Sequence, residues 1–576
     1  MTHTPMEGGP VNIQARAVTY DAIVIGSGIT GGWAAKELTE RGLRTLVLEA
    51  GRPVSPDRDS REHVAPFEMR FRGLGDRRAM EARQPVQRNS VSFDEISQRY
   101  WIDDIENPYS TPADQPFDWF RARQVGGKSI IWGRQVYRMS DLDFEANLRD
   151  GVGVDWPIRY RDIAPWYDHV ERFIGVTGQR ENIPHLPDSV FDPPMALNVV
   201  EQHVRDGIAA RFKRDRVLTI GRAAILTAPR PGRAACHYCG PCQRGCMTRS
   251  YFSSINATLP AARATGRLTL RPWSIVRSLE IDPSTRRIRS VHVIDGQTGQ
   301  EHRFTARVIF LCASAIESAR ILLNSATTGA ENGLANASDQ VGRNIMDHIK
   351  NAGATGTIDG FLDKRVVGNR PNGIYVPRFR NIGSTHPDFI RGYGFQGGAQ
   401  RSGWQQLTRA PGIGAAFKQQ LRELGGWTMT FNGYGETLPM PHNRATVHPT
   451  LTDKWGIPSL HISTQWSPNE LALHRDMKVG AAELLEAAGA KNIQPTTRPP
   501  STMGNANHEM GTARMGRDPK TSVLNGWNQA WDVPNLFITD GAAMVSSGCQ
   551  NPSLTYMALT VRAVDYAVQA LKRREL

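Results

Sequence analysis

The hydrophobic pattern changes period several times along this chain. From Asp21 the stretch DAIVIGSGITGGWAAKELTERGLRTLVLEAG begins with a short apolar run, passes a glycine-rich turn, continues at helical spacing and returns to an apolar run ending at Glu49. That order predicts strand, turn, helix and strand, the first unit of a parallel sheet. A polar region rich in proline and arginine follows Gly51 up to about Pro116 with no clear period, as expected of excursions over a scaffold. DWPIRYRDIAPWYDHVERFIGVTG reads as a loop and an amphipathic helix. RLTLRPWSIVRSLEID and RRIRSVHVID alternate around the turn PSTRR and predict antiparallel strands, and RFTARVIFLCASAIESARILLNS predicts a buried strand of the first sheet feeding a helix. Between about Asn351 and Arg498, alternating segments such as GWTMTFNGYGETL and SLHISTQWS, with one helix near Glu470 to Gly489, predict a second domain on an antiparallel sheet. NLFITD ends a further strand, and Asn551-Pro552 opens a last helix. The fold class is therefore α/β: a Rossmann-like domain with a parallel sheet and an antiparallel meander, joined to an α+β domain with an antiparallel sheet.

Composition narrows the picture. The 576 residues, 40% hydrophobic and 22% charged, suffice for two sizeable cores. No stretch approaches twenty apolar residues, so no membrane span is predicted. The start MTHTPMEGGPVNIQARAVTY has neither a basic region leading into an apolar run nor a twin-arginine pair. It reads as no secretion signal, so export would have to be arranged by another chain. A net charge of +13 and a pI near 9.6 are spread over the sequence without a basic run interleaved with aromatics. That argues against nucleic-acid binding and for a solvated basic surface, with docking of an acidic redox partner as the next reading.

Three stretches carry candidate chemistry. Gly26-x-Gly28-x-x-Gly31 allows a tight turn and close backbone approach to a pyrophosphate at a helix N-terminus, with Glu49 spaced to accept from ribose hydroxyls. Gly126 and Gly127, ahead of Ser129 and Trp132, would let backbone N–H groups approach a ring or a phosphate. In NANHEMGTARMG and SSGCQNPSLTYMAL, His508 and Asn551 suggest a base and a second polar group beside the cofactor seat marked by Asp540 and Gly541. Histidine suits a base because its ordinary pKa lies near neutrality.

Four of the six cysteines fall in ACHYCGPCQRGCMTRS, where Cys236, Cys239, Cys242 and Cys246 stand at the spacing of the bacterial ferredoxin run, with Met247 in place of its proline. An iron–sulfur cluster, a zinc site and disulfides or free thiols all remain open. Cys312, in VIFLCAS, reads as a buried core thiol, and Cys549 as a pocket-wall thiol.

Together, GSGITGG with Glu49, VGGKSIIWG, GRNIMDH at Gly342 to His348, HEMGTARMG and NPSLTYMAL resemble the glucose-methanol-choline (GMC) family of FAD-dependent oxidoreductases, in the family's order and over nearly the whole chain. The resemblance implies an FAD-binding domain assembled from residues 17–60, 117–160, 206–350 and 505–576, with a substrate-binding domain and excursions from 61–116, 161–205 and 351–504. It implies His508 as base and Asn551 as its partner, hydride transfer to flavin N5, and a backbone contact of Asp540-Gly541 with FAD. Ile131 stands where some members tether flavin through histidine, so FAD is expected to be non-covalent. Asn507 is expected near substrate, and His348 as a structural contact. Cys236, Cys242 and Cys246 match the spacing in bacterial flavin-dependent glucose dehydrogenases with a 3Fe–4S centre, which leaves 3Fe–4S or 4Fe–4S open. By analogy the substrate is a sugar or glycoside, with C3 as one position. A small accessory subunit, a cytochrome c-type acceptor and a periplasmic location by co-export are also implied. The alternatives are a stand-alone oxidase making hydrogen peroxide and a basic binding or electron-transfer protein.

Overall fold

A computed structural model describes residues 19–326, 330–403 and 412–576. The reading of the first residues as no secretion signal, and residues 17–18, 327–329 and 404–411 of the expected domain segments, lie outside them.

The first sheet has five strands, all parallel, in the order Leu536–Ile538, Ala306–Leu311, Tyr20–Ile25, Thr45–Leu48, Leu268–Arg271. Its central strand YDAIVI pairs Ile25 with Leu311 on one side and with Leu48 on the other. Both faces are covered, one by helices and the other by residues of an antiparallel meander such as Val276, Leu279 and Val291, which explains why these strands read as continuous apolar runs and do not alternate. One face carries helix Ile29–Glu40, with helix Ser553–Lys572 packed on it. Strands from four remote parts of the chain thus end at one edge, where Gly26, Glu49 and the Cys312–Ser314 turn emerge. Ligands of open α/β sheets bind at this carboxyl edge.

RLTLRPWSIVRSLEID is not one strand, as the alternation suggested. It divides at Pro272 and Trp273: Leu268–Arg271 completes the parallel sheet, and Ser274–Asp282 begins an antiparallel meander with Arg287–Asp295 and Glu301–Phe304. Proline supplies no N–H to a ladder, and Trp273 has a φ of 55°, so the chain leaves one sheet for the other.

The second sheet is antiparallel, in the order Lys491–Pro495, Gly353–Ile358, Trp427–Gly435, Tyr393–Arg401, Ile374–Val376, Thr219–Ile220. Helix Pro468–Ala487, opened by a capping box between Ser467 and Glu470, covers it and buries Leu473, Met477, Ala481, Leu484 and Leu485. SLHISTQWS contributes Pro458–Ser463 to a separate two-stranded sheet with Arg444–Thr452. The second sheet turns Gln396 and Tyr434, on adjacent strands, toward the carboxyl edge of the first.

Candidate active site

Between the two sheets lies a cavity of about 360 Å³, within the range of about 300–1,000 Å³ usual for small-molecule sites. One end is built from the glycine turn. A Cβ on Gly31 would come within 2.0 Å of the Gly26 carbonyl oxygen, so only glycine lets the helix close on the strand. At Gly28 a Cβ would meet nothing within 4 Å, because this residue faces the open cavity. Gly126 and Gly127 both have positive φ, and Gly127 lies against Gly28, with 3.2 Å from its would-be Cβ to the Gly28 Cα. Glu49 accepts from the Ser27 amide (3.0 Å), the Ser27 hydroxyl (2.6 Å) and the Gly51 amide (2.9 Å). Those bonds use three of about four carboxylate acceptor sites and leave one toward the cavity. Burial raises its pKa above the ordinary carboxylate value in spite of these bonds.

The other end holds the polar chemistry. Met346 and Met510 exchange backbone hydrogen bonds at 3.0 Å in each direction, which zips GRNIMDH to HEMGT. Asp347 then accepts from the Ala506 amide at 3.0 Å and from the His508 amide at 3.1 Å, gripping the loop that carries the histidine. Burial, and next the charge of Glu509, push Asp347 up to about 6.

Hydrogen bonding assigns the proton on each of two histidine rings to one nitrogen. His348 Nε2 lies 2.9 Å from the Gly548 carbonyl oxygen, so it donates and Nδ1 is left as an acceptor. His508 Nδ1, 2.9 Å from that acceptor, carries the proton, and His508 Nε2 keeps its lone pair. Asn551 Nδ2 faces Nε2 at 3.2 Å, while Gln396 Nε2 donates to Asn551 Oδ1 at 2.6 Å and fixes which end of the amide faces the histidine. His508 is half-buried on the cavity wall, and its pKa lies well below 6.5, first because of desolvation, then through His348, Lys350 and Lys128. Burial holds His348 near 4. Asp347, His348 and His508 present ligand-type atoms within 4.8 Å of one another, and the bonds just described link them: Asp347 to the loop amides, and His348 to both Gly548 and His508.

Sequence patterns of the GMC oxidoreductase family match residues 20–350 and 441–560. The chain belongs to the GMC oxidoreductase family. Over 574 residues it is 30% identical to a 2-methyl-1,2-propanediol dehydrogenase of Mycolicibacterium austroafricanum, covering 95% of this chain and 94% of the relative. It is 26% identical to the fructose dehydrogenase large subunit of Gluconobacter japonicus, covering 96% and 99%. Aspergillus oryzae formate oxidase shares the fold, with a TM-score of 0.61 at 15% identity over 97% of this chain and all of that one. The protein is thus an FAD-dependent oxidoreductase of alcohol and sugar hydroxyls.

This GMC cavity suits FAD. Asn507 Oδ1 and Glu509 Oε1 are buried on its wall without protein partners, and Gly28 leaves space beside the N-terminus of helix Ile29–Glu40. Asp540 and Gly541 also line it. Asp540 accepts from Ser318 Oγ (2.6 Å) and the Ala542 amide (2.9 Å), and burial raises it to about 6. Trp132 and Ile131 line the wall as well, and Trp132 Nε1 donates to the Phe252 carbonyl at 2.9 Å. Gly31 and Gly126 stand behind the lining. Cys312 reaches it although its thiol bonds Thr539, whereas Cys549 does not: it is buried against Tyr375, behind Asn551. Gly28→Val should give a folded protein with flavin affinity lowered about 10- to 100-fold, since overpacking costs about 1–3 kcal/mol. Flavin titration of the apoprotein reads this, and an unchanged affinity would show that Gly28 does not face the cofactor.

The four clustered cysteines lie outside the cavity, and all are free thiols. Cys236, Cys242 and Cys246 pack in one group with Tyr251, whose hydroxyl donates to the Ile130 carbonyl at 2.6 Å in the loop that bears Ile131 and Trp132. Cys239 stands outside that group. Sequence reasoning missed Gln396, Tyr434 and Lys350 on the cavity wall, and it read His348 as a structural contact rather than the partner of His508 Nδ1. Only GRNIMDH offered a signal for any of these.

Proposed function

We propose that this enzyme oxidises a hydroxyl of a sugar or glycoside, the C3 hydroxyl of a glycoside among the positions, with His508 as base and Asn551 as its partner. The observation that carries the reading is the His508 Nε2 lone pair, directed beside Asn551 Nδ2 by a chain running from Gly548 to Gln396. A substrate hydroxyl placed between these groups accepts from Asn551 and gives its proton to His508 Nε2. Gln396 keeps the Asn551 amide facing that oxygen, and His348 keeps the opposite proton on Nδ1. FAD, held without a covalent bond by the glycine turn, Glu49 and Asp540-Gly541, supplies the acceptor for the hydride lost from the carbinol carbon.

The cysteine loop is read as the seat of a 3Fe–4S or 4Fe–4S centre that carries electrons singly to an external, cytochrome c-type acceptor. One zinc ion about 2.3 Å from each sulfur would require sulfurs within roughly 4.6 Å. Among the described residues no three of these thiols meet within 4.8 Å, which does not match that zinc spacing. Arg233, buried and bonded to the carbonyls of Ile174, Arg249 and Ser250, adds positive charge beside Cys246. The relative described as a large subunit supports assembly with a small accessory subunit, and with it periplasmic location by co-export. No helix among the described residues is long and apolar enough to cross a membrane.

Anaerobically purified protein should contain iron and acid-labile sulfide and reduce a dye far faster than oxygen during sugar oxidation. Oxygen uptake equal to substrate turnover, with no iron present, would instead mark a stand-alone oxidase.

A further inference from the structure

The antiparallel sheet has two unlike faces. Along Trp427–Gly435, Met429 and Phe431 are buried with Leu473 and Met477 of the covering helix, while Asn432 and Tyr434 alternate onto the opposite side. Gln396 of strand Tyr393–Arg401 pairs with Asn432, so Gln396 and Tyr434 are diagonal neighbours on that side, about 7–8 Å apart. Both line the cavity. They meet the catalytic pair from different directions: Gln396 holds the Asn551 amide, whereas the ring of Tyr434 stands beside that of His508, with 6.4 Å between centroids and a tilt of 44°.

Among the described residues the Tyr434 hydroxyl has no hydrogen-bond partner. Tyrosines buried elsewhere in the chain do not share this: Tyr167, Tyr251 and Tyr393 bond Thr555, the Ile130 carbonyl and Asp476. Tyr556, the other tyrosine on the cavity wall, reaches the Glu509 carbonyl at 3.5 Å. A phenol withdrawn from water without a partner is costly, and tyrosine hydroxyls in such places usually find one. Here the open side is the cavity. Burial raises the phenol above its ordinary pKa of 10.0, so across the neutral range it keeps its proton and can donate.

The reacting oxygen is already provided for, since its proton is directed at His508 Nε2 and it accepts from Asn551. Tyr434 stands on the His508 flank of that oxygen, away from the Gln396 contact with Asn551, on the side open to an oxygen of the next ring carbon. We propose that Tyr434 is a specificity residue whose hydroxyl bonds the sugar hydroxyl vicinal to the one oxidised, so that the site selects vicinal diols and fixes which carbon faces the hydride acceptor. The assignment rests on the sugar reading above.

The test measures kcat and KM of the flavin-loaded, full-length enzyme with a dye acceptor on methyl β-D-glucopyranoside and on its 2-deoxy and 4-deoxy analogues, which lack in turn each neighbour of the C3 hydroxyl. Wild type should lose activity with one of the two analogues. Tyr434→Phe should lose about 2- to 12-fold in kcat/KM on the parent glucoside, the worth of one neutral hydrogen bond, through a higher KM with kcat unchanged. It should lose nothing further with that same analogue. The variant removes a single oxygen atom, and flavin content at the wild-type level reports an intact fold. If Tyr434→Phe oxidises the glucoside as wild type does, or falls by one common factor on the parent and both analogues, the proposal is overturned while the sugar reading stands. Wild type that treats both analogues as it treats the parent overturns it without any variant. Wild type that oxidises none of the three, its flavin still reduced by dithionite, removes the glycoside reading and this assignment with it.

Discussion

Replacing His508 with alanine is expected to lower kcat by about 10²- to 10⁴-fold, the usual worth of a positioned general base, while the protein keeps its flavin. The residue faces the cavity with Nε2 unprotonated, and its backbone amide, rather than its ring, is what Asp347 holds. Truncation should therefore remove the proton acceptor without releasing the loop. The wild-type pH profile follows from the direction of the shift. A histidine whose pKa lies below 6.5 is in its base form throughout the neutral range. Activity should stay level there and fall only as the pH drops below 6.5 through the lowered pKa, and this acid limb should be missing from the residual activity of His508→Ala. Steady-state kinetics with a dye acceptor, alongside flavin absorbance, measure both. A variant that retains activity and an unchanged acid limb would exclude His508 as the base.

The second large effect is expected at His348, which acts as a positioning residue. Its Nδ1 is the acceptor that keeps the proton on His508 Nδ1. With His348→Phe the ring has no such acceptor, and the tautomer with a proton on Nε2 becomes available, in which the base has no free lone pair toward substrate. A misassigned tautomer has cost about 10⁴-fold in a serine protease triad; here kcat should fall between about 10²- and 10⁴-fold with KM little changed. His348→Gln should recover much of the loss, because its amide can accept from His508 and donate to the Gly548 carbonyl. A purely structural role predicts otherwise: phenylalanine, similar in size, would be tolerated, and glutamine would rescue nothing. The comparison of these two variants at equal flavin content decides the matter.

Much of the fold was legible because local pattern and tertiary environment agree. The run DAIVI, the glycine turn and the following helix describe one compact unit whose strand is covered on both faces, and such strands must be apolar throughout. The helix expected near Glu470 to Gly489 is found at Pro468–Ala487, again a local feature, closed at its start by the Ser467–Glu470 capping box. The strand break at Pro272 was less visible, because alternation continues across it and only the exchange of pairing partners separates the two sheets.

By itself the sequence determined the family, the glycine turn with Glu49, and the residue types at positions 508 and 551, since these depend on short spacings along one segment. Tertiary structure alone decided that Gly548, His348, His508, Asn551 and Gln396 form one chain of hydrogen bonds, so which nitrogen of His508 is free could be assigned only there. A tautomer depends on partners far apart in the sequence, brought together by strands and loops that share no local pattern.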